Sequence, residues 1–209
     1  MIDEAPIGAF LDDVASERVT PAGGTVVAVS GAMGAALCEM ACIHTLAARD
    51  ESEDVDADDA ATVDFEALRA DLAGQRRRLL ALAEQDAALV DDLFGGGSAS
   101  DSGEDDDEQR GPSDRLSKRA AGIPLATAEA ALAVLEDAAV VIDRGRPGVA
   151  ADAKAGAYLA DAAVRASLAT VEINVSALDD ASHAADLRER AAQIAADAAD
   201  LREDVLNMR

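Results

Sequence analysis

The stretch from Val26 to Ala48 constrains the fold more than any other part of the chain, because it is apolar and almost free of charge. Its only acidic or basic side chains are Glu39 and His44, whereas the whole chain has a formal net charge of −24. Such a stretch is long enough to cross a bilayer. It is rich in Ala and Gly rather than Leu and Ile, however, and it has no aromatic belt. We therefore interpret it as a helix enclosed by neighbouring helices of the same protein.

The rest of the chain also has helical periodicity. Apolar residues recur at steps of three and four between Phe65 and Leu93, which predicts one long helix with Asp86 on its apolar face. Other helices are predicted over 4–17, from about Thr25 with that residue as N-cap, over 124–145 with Pro124 in the first turn, over 152–178 and over 182–208. No segment alternates as a half-buried strand does. These patterns predict an all-α bundle of about six helices around a long central apolar helix.

The segment from about 95 to 114 differs from these helices in composition, being acidic, rich in glycine and of low complexity. We expect a flexible insertion there, without chemistry of its own. The length of the chain suits one hydrophobic core, so residues 1–209 are predicted to form a single domain apart from this insertion.

The acidic surface excludes some classes of partner. Asp and Glu number 42 and Lys and Arg only 18, which leaves no basic face for nucleic acid or an anionic membrane. At molar salt the Debye length falls to about 3 Å, so such a surface is tolerated, and we predict a halophilic protein. The chain begins without a secretory signal pattern, so we expect a cytoplasmic location. Cys38 and Cys42 have no second Cys pair or His cluster beside them, and we expect reduced core residues.

Polar side chains that interrupt apolar faces are the candidates for chemistry, because burial perturbs them. Asp86, Asp152 and Asn174 are of this kind, and each also has a structural interpretation. An Asp on an apolar face often lies at the solvated end of a bundle. Glu39 can pair with an Arg, and His44 can be a satisfied core residue. These patterns alone therefore indicate a helical bundle with a polar pocket.

A resemblance makes the interpretation more specific. The segment FLDDVASERVTPAGGTVVAVSGAMGAAL, from Phe10 to Leu37, resembles the opening of the cyclodeaminase/cyclohydrolase family, whose members act on folate-bound one-carbon units. Further similarities follow in the family's order: Asp86-Ala87, IPL at 123–125, Asp152-Ala153 and RASLATVEINVSAL at 165–178. The resemblance implies an all-α fold that dimerises through its helices, a tetrahydrofolate derivative as substrate, and no metal or redox cofactor.

Site residues follow from the resemblance and from the chemistry. A partly buried carboxylate can direct water at the cationic methenyl carbon of methenyltetrahydrofolate and take up the proton, and it also stabilises the cation. We expect Asp86 and Asp152 to be catalytic. The expected substrate-binding residues are Thr20, Gly23, Gly24, Thr25, Asn174, Arg49 and Arg165, with Arg76 as a further cation.

The activity itself has alternatives. The size of the chain, without a formiminotransferase domain, favours a stand-alone methenyltetrahydrofolate cyclohydrolase. A formiminotetrahydrofolate cyclodeaminase, which releases ammonia, is the second candidate. Four positions depart from the family's pattern, namely Val19, Ala22, Ile43 and Ala48, where a Pro, a Gly, an Asn and a Lys are expected. These departures leave open a helical bundle that keeps the fold without the activity.

Overall fold

The computed structural model describes residues 6–50, 63–94 and 110–207. Within these ranges the chain forms six α-helices and no strand, which confirms the all-α prediction. The helices are α1 (Ile7–Val14), α2 (Gly23–Asp50), α3 (Phe65–Phe94), α4 (Arg110–Arg144), α5 (Ala150–Val175) and α6 (Ala181–Asn207). A short 3-10 helix, Pro147–Val149, joins α4 to α5.

Helix α2 packs against α3, α4 and α5. Its buried face is made of small residues such as Ala28, Ala32 and Ala35, as the sequence predicted. A Cβ atom added to Gly34 would lie 2.7 Å from the carbonyl oxygen of Gly156 on α5, so this crossing requires glycine on both helices. Because small residues let backbones approach closely, an alanine-rich chain can build a dense core without large aromatic side chains.

Helices α3 and α5 run antiparallel to α2. Gly31 of α2 lies against Leu79 of α3 and Ala163 of α5, whereas Cys38 contacts Ala153, which is earlier in α5. The carboxyl-terminal ends of α3 and α5 therefore lie beside the amino-terminal end of α2. This topology places three chain segments that are distant in sequence at one end of the bundle.

Helix α4 begins earlier than predicted. The expectation that Pro124 opens this helix is wrong, since α4 extends from Arg110 and Pro124 lies inside it. Proline has no backbone N–H and so leaves the carbonyl of Ala120 without its usual helical donor. The side-chain amide of Asn174 donates to that carbonyl oxygen at 2.6 Å, which satisfies the acceptor and ties α5 to α4. A contact from another helix thus stabilises the proline within α4.

Two further expectations need correction. Helix α2 begins at Gly23, so Thr25 lies inside its first turn and is not the N-cap. The prediction that α2 is enclosed on all sides is also wrong, because Met33 and Ile43 are about half exposed. By length and composition α2 is apolar enough to cross a membrane, with 44% of its most apolar window buried. Of the expected insertion, residues 95–109 lie outside the described ranges and 110–114 begin α4.

Candidate active site

The carboxylate of Asp86 lies against the first turn of α2. The hydroxyl of Thr25 donates to its Oδ2 atom at 2.7 Å. A Cβ atom added to Gly24 would lie 2.7 Å from Cγ and 2.8 Å from Oδ2 of Asp86, and closer still to Oδ1. Glycine at position 24 therefore makes room for this carboxylate. The first turn of a helix leaves backbone N–H groups without acceptors in the helix itself, and its partial positive charge favours an anion at this place.

The turn before α2 borders an open groove next to Asp86. The Thr20–Pro21 peptide bond is cis, and the Thr20 hydroxyl donates to Oδ1 of Asp91 at 2.9 Å. The groove has a volume of about 530 Å³ and is lined by Asp13, Arg18, Val19, Thr20, Pro21, Ala87 and Asp91. Asp86 does not itself line the groove, but its neighbour on α3, Ala87, does, so the carboxylate and the groove belong to the same end of the bundle. This arrangement puts a fixed carboxylate close to a space for a small molecule.

The structure brings together five of the nine predicted site residues, namely Thr20, Gly23, Gly24, Thr25 and Asp86. Asn174 lies at the same end of the bundle, where its amide group holds the Ala120 carbonyl. Asp152 is exposed in the first turn of α5, level with Cys38. Cys38 follows Thr25 by thirteen positions of α2, so Asp152 lies about 20 Å from Asp86 along that helix.

The predicted cations also lie away from Asp86. Arg49 is near the other end of α2, about 36 Å along the helix from Thr25, where its guanidinium group stacks on the ring of Phe65. Arg165 forms an ion pair with the buried Asp161 at 3.2 Å. The third cation, Arg76, pairs with Glu39 at 2.9 Å, as expected for that glutamate. None of these contacts involves the groove.

Comparison with known proteins identifies the family. Residues 6–193 match the formiminotransferase-cyclodeaminase family. The chain belongs to this family. It is 30% identical over 206 residues to a methenyltetrahydrofolate cyclohydrolase of Methylorubrum extorquens, with 98% of this chain and 96% of that protein covered. The resemblance seen in the sequence is therefore confirmed.

A solved structure shares the fold. The crystal structure of formiminotetrahydrofolate cyclodeaminase from Thermotoga maritima superposes with a TM-score of 0.83 at 21% identity. The superposition covers 100% of this chain and 97% of that one. The helical architecture described above is thus also found in a crystal structure.

Other groups in this family member have structural roles or lie apart from the groove. Cys38 and Cys42 are buried and unpaired, as predicted, and burial raises the pKa of each thiol to about 12, so both stay protonated. His44 is exposed, so the interpretation as a core histidine is wrong. Within the described ranges, no three His, Cys, Asp or Glu side chains are placed to hold a metal ion together.

The sequence analysis missed three charged groove residues, Asp13, Arg18 and Asp91. Asp91 follows Ala87 by one helical turn on α3. Once Asp86 had been chosen, helical spacing could therefore have predicted that Ala87 and Asp91 share the neighbouring face. Arg18 lies within the segment from Phe10 to Leu37 that resembles the family. Nothing in that resemblance marked it as a site residue. Only the folded chain shows that these side chains line the same groove.

Proposed function

We propose that this protein hydrolyses methenyltetrahydrofolate to formyltetrahydrofolate, with Asp86 as the catalytic carboxylate. The observation that carries the proposal is the position of Asp86, which Thr25 and the space at Gly24 fix beside the groove. The 30% identity to a methenyltetrahydrofolate cyclohydrolase over almost the whole chain supports this choice of substrate.

The reaction follows from the charge of the substrate. The methenyl carbon is bonded to two nitrogens that share a positive charge, and a nearby carboxylate stabilises this cation. A water molecule held by Asp86 adds through its oxygen to that carbon and gives one proton to the carboxylate. The hydroxyl of the adduct then loses its proton as the formyl C=O bond forms and one carbon–nitrogen bond breaks, and the departing nitrogen keeps the bonding electron pair and receives the proton held by the carboxylate. The sum is one water consumed and one proton released, so the reaction needs no redox cofactor.

The assay follows the absorbance of methenyltetrahydrofolate, which falls as the bridge is hydrolysed. The purified protein should accelerate this loss in molar potassium chloride relative to the same buffer without protein. A rate equal to that of the buffer alone would overturn the proposal. Boiled protein in the same salt controls for buffer and protein effects that do not depend on the fold.

Formiminotetrahydrofolate cyclodeaminase activity is the second candidate, because the chain belongs to a family that includes cyclodeaminases. In that reaction the second bridge nitrogen of the folate forms a bond to the formimino carbon, the bond from that carbon to the terminal nitrogen breaks, and ammonia leaves with a donated proton. The protonated form of Asp86 can supply that proton. Ammonia released from formiminotetrahydrofolate separates this activity from cyclohydrolysis, since only the former yields ammonia.

We also propose a homodimer that forms through α2 and α5. The exposed residues on the adjoining faces of these helices are uncharged from Met33 to Ile43 and from Ala155 to Ala162, and Tyr158 lies among them. The uncharged face lets two very acidic chains approach.

Such a dimer offers a role for Asp152. Two-fold packing across α2 with the axis perpendicular to the helix near Met33 would reverse the second helix and bring Asp152 of the partner subunit to within about one helical turn of the level of Thr25. We infer that Asp152 serves a groove only across the dimer, since about 20 Å separates it from Asp86 in its own chain. Sedimentation in molar potassium chloride should give twice the chain mass, and Met33→Glu should give monomers. A wild-type monomer at micromolar concentration would refute the dimer.

These proposals define the surroundings in which the protein acts. Its substrate is a soluble folate, so we propose a cytoplasmic enzyme without nucleic-acid or membrane partners. The acidic surface supports the first exclusion, because counterion release needs Lys and Arg on one face. We assign the exposed apolar face of α2 to contact with the second subunit. This assignment supports the exclusion of a membrane partner.

A further inference from the structure

The groove beside Asp86 contains a cation that the sequence analysis did not assign. Among the described residues that line the groove, Arg18 is the only one with a positive charge. Two of the lining residues, Asp13 and Asp91, are acidic, and the chain as a whole has a net charge of −24. An anionic ligand is therefore repelled by most of this surface, and Arg18 is the group that offsets the repulsion within the groove.

The contacts of Arg18 fix its backbone and leave much of its side chain available. The Ser16 hydroxyl donates to the carbonyl of Asp13 at 2.7 Å, and the backbone N–H of Arg18 donates to the Ser16 oxygen at 3.1 Å. The guanidinium group uses Nη1 to donate to Asp13 Oδ1 at 2.7 Å. An arginine has five N–H donors, so one bond to Asp13 leaves others for a ligand. Because the Arg18 side chain is 67% exposed, this ion pair adds little stability, and a second carboxylate can share the cation.

Three of the seven residues that line the groove are apolar, namely Val19, Pro21 and Ala87. Val19 is about half exposed. A groove with an apolar part and a cation suits an elongated ligand that has an aromatic part and a carboxylate end. Folates have this form, with an aminobenzoyl ring and a terminal glutamate.

We propose that Arg18 binds a carboxylate of the glutamate moiety of the folate, and that the groove holds the aminobenzoyl part of the same molecule. This inference rests on the proposed function, since it places the reacting end of that substrate at Asp86. It replaces Arg49 and Arg165 as the cation for the glutamate. Arg18 is thus a specificity-determining residue that distinguishes folates from pteroates, which lack glutamate, and it takes no part in the bond-breaking step.

The test compares two substrates in the Arg18→Gln variant, namely methenyltetrahydrofolate and the methenyl derivative of tetrahydropteroate. With the folate, we expect a KM about ten times higher than in the wild type, the size of effect that loss of one charge-assisted contact produces. The kcat should stay within about twofold, because such a contact is equally strong in ground and transition states. With the pteroate, neither constant should change. Arg18→Lys should recover part of the KM.

The matched control is Arg69→Gln. Arg69 also forms an exposed ion pair, with Glu66 at 3.5 Å, but it lies more than four helical turns from Asp86 on α3. This variant should behave as the wild type with both substrates. An equal change with folate and pteroate, an unchanged KM for the folate, or a fall in kcat alone would overturn the proposal for Arg18.

A binding measurement separates this inference from the proposed activity. Calorimetry with 5-formyltetrahydrofolate and with its pteroate counterpart needs no turnover. One outcome is that the wild type does not hydrolyse the substrate, while Arg18→Gln weakens the binding of 5-formyltetrahydrofolate but not that of its pteroate counterpart. The proposed function then fails and the glutamate subsite stands. If the variant binds 5-formyltetrahydrofolate as tightly as the wild type, the subsite is refuted whatever the activity is.

Discussion

Replacing Gly24 by Ala should displace the catalytic carboxylate without unfolding the protein. The new Cβ atom would lie 2.7 Å from Cγ of Asp86, whereas ordinary van der Waals contact begins at 3.4 Å. The carboxyl group therefore has to move by about 0.7 Å or more to reach ordinary contact distance. Because Asp86 is on α3 and position 24 is on α2, rotation of the Asp86 side chain is the smallest change that removes the clash. That rotation breaks the 2.7 Å hydrogen bond from Thr25.

The cost in stability should be small and the cost in activity large. Loss of a hydrogen bond to a charged group in a partly exposed place lowers the free energy of unfolding by about 1.5 kcal/mol. Alanine in a helix recovers about 0.5–1 kcal/mol relative to glycine. The net loss of about 0.5–1 kcal/mol corresponds to a fall of about 1–4 °C in Tm. A catalytic group displaced by about 1 Å costs about 100-fold in rate, so kcat should fall by about that factor.

The assay is the absorbance loss of methenyltetrahydrofolate under saturating substrate, together with a thermal unfolding curve in the same salt. Gly74→Ala is the control, because it is also a helical glycine but has no atom within 4 Å of the added Cβ. This control should gain about 0.5–1 kcal/mol in stability and keep its activity. A folded Gly24→Ala variant with more than about a third of the wild-type kcat would refute the assigned position of Asp86, because the 0.7 Å displacement predicts a much larger loss.

Three further predictions test other parts of the account. Mixing the inactive variants Asp86→Asn and Asp152→Asn should restore about a quarter of the wild-type activity, because half of the dimers are mixed and each has one intact site; no recovery would place Asp152 outside the reaction. Burial and the nearby charges of Asp71 and Glu136 raise the pKa of Asp137 to about 6, so the folded state binds this proton more tightly than the unfolded chain, and stability from this group is lost as pH rises through 6. Asp137→Asn should therefore raise the free energy of unfolding by about 1 kcal/mol at pH 7.5, after allowance for partial exposure, and by less at pH 5. Raising potassium chloride from 0.1 M to 2 M should increase the Tm, because the Debye length falls from about 10 Å to below 3 Å; a Tm that falls would contradict halophilic adaptation.

The long helices were predictable from the sequence because their signal is local. The apolar steps from Phe65 to Leu93 occur within one element, and α3 extends from Phe65 to Phe94. The same regularity singled out Asp86 as a carboxylate on an apolar face. The family segment from Phe10 to Leu37 located the turn that precedes α2. Both signals lie within a few helical turns of chain.

Other features depend on contacts between distant residues. The hydroxyl of Thr25 was read as a helix cap, whereas its partner is a carboxylate 61 residues away. Pro124 was taken as a helix start because the donor that satisfies the carbonyl of Ala120 lies on α5, 54 residues further along the chain. The sequence patterns within α2 and α4 predict neither of these two contacts. Both follow only from the antiparallel packing of the helices.

The cations show the same limit. Arg49 was chosen because it adjoins the position where the family pattern has a Lys, but closeness in sequence does not give closeness to Asp86. The 28 residues of α2 place Arg49 near the opposite end of the helix. Arg18 lines the same groove as Ala87 and Asp91 because the turn after α1 lies beside the end of α3, where the Thr20 hydroxyl donates to Asp91. The choice of a ligand-binding cation thus needed the tertiary structure.

The central claim is that Asp86 performs the chemistry, and the most direct measurement is the kcat of Asp86→Asn for methenyltetrahydrofolate in molar potassium chloride. Asp92→Asn is the matched control, since it makes the same change on the same helix at an exposed residue that pairs with Arg119. We predict a fall of about 10²–10⁴ in kcat for Asp86→Asn, the range typical of a lost general base, and wild-type turnover for Asp92→Asn. A folded Asp86→Asn variant that hydrolyses the substrate as fast as the wild type would contradict the account.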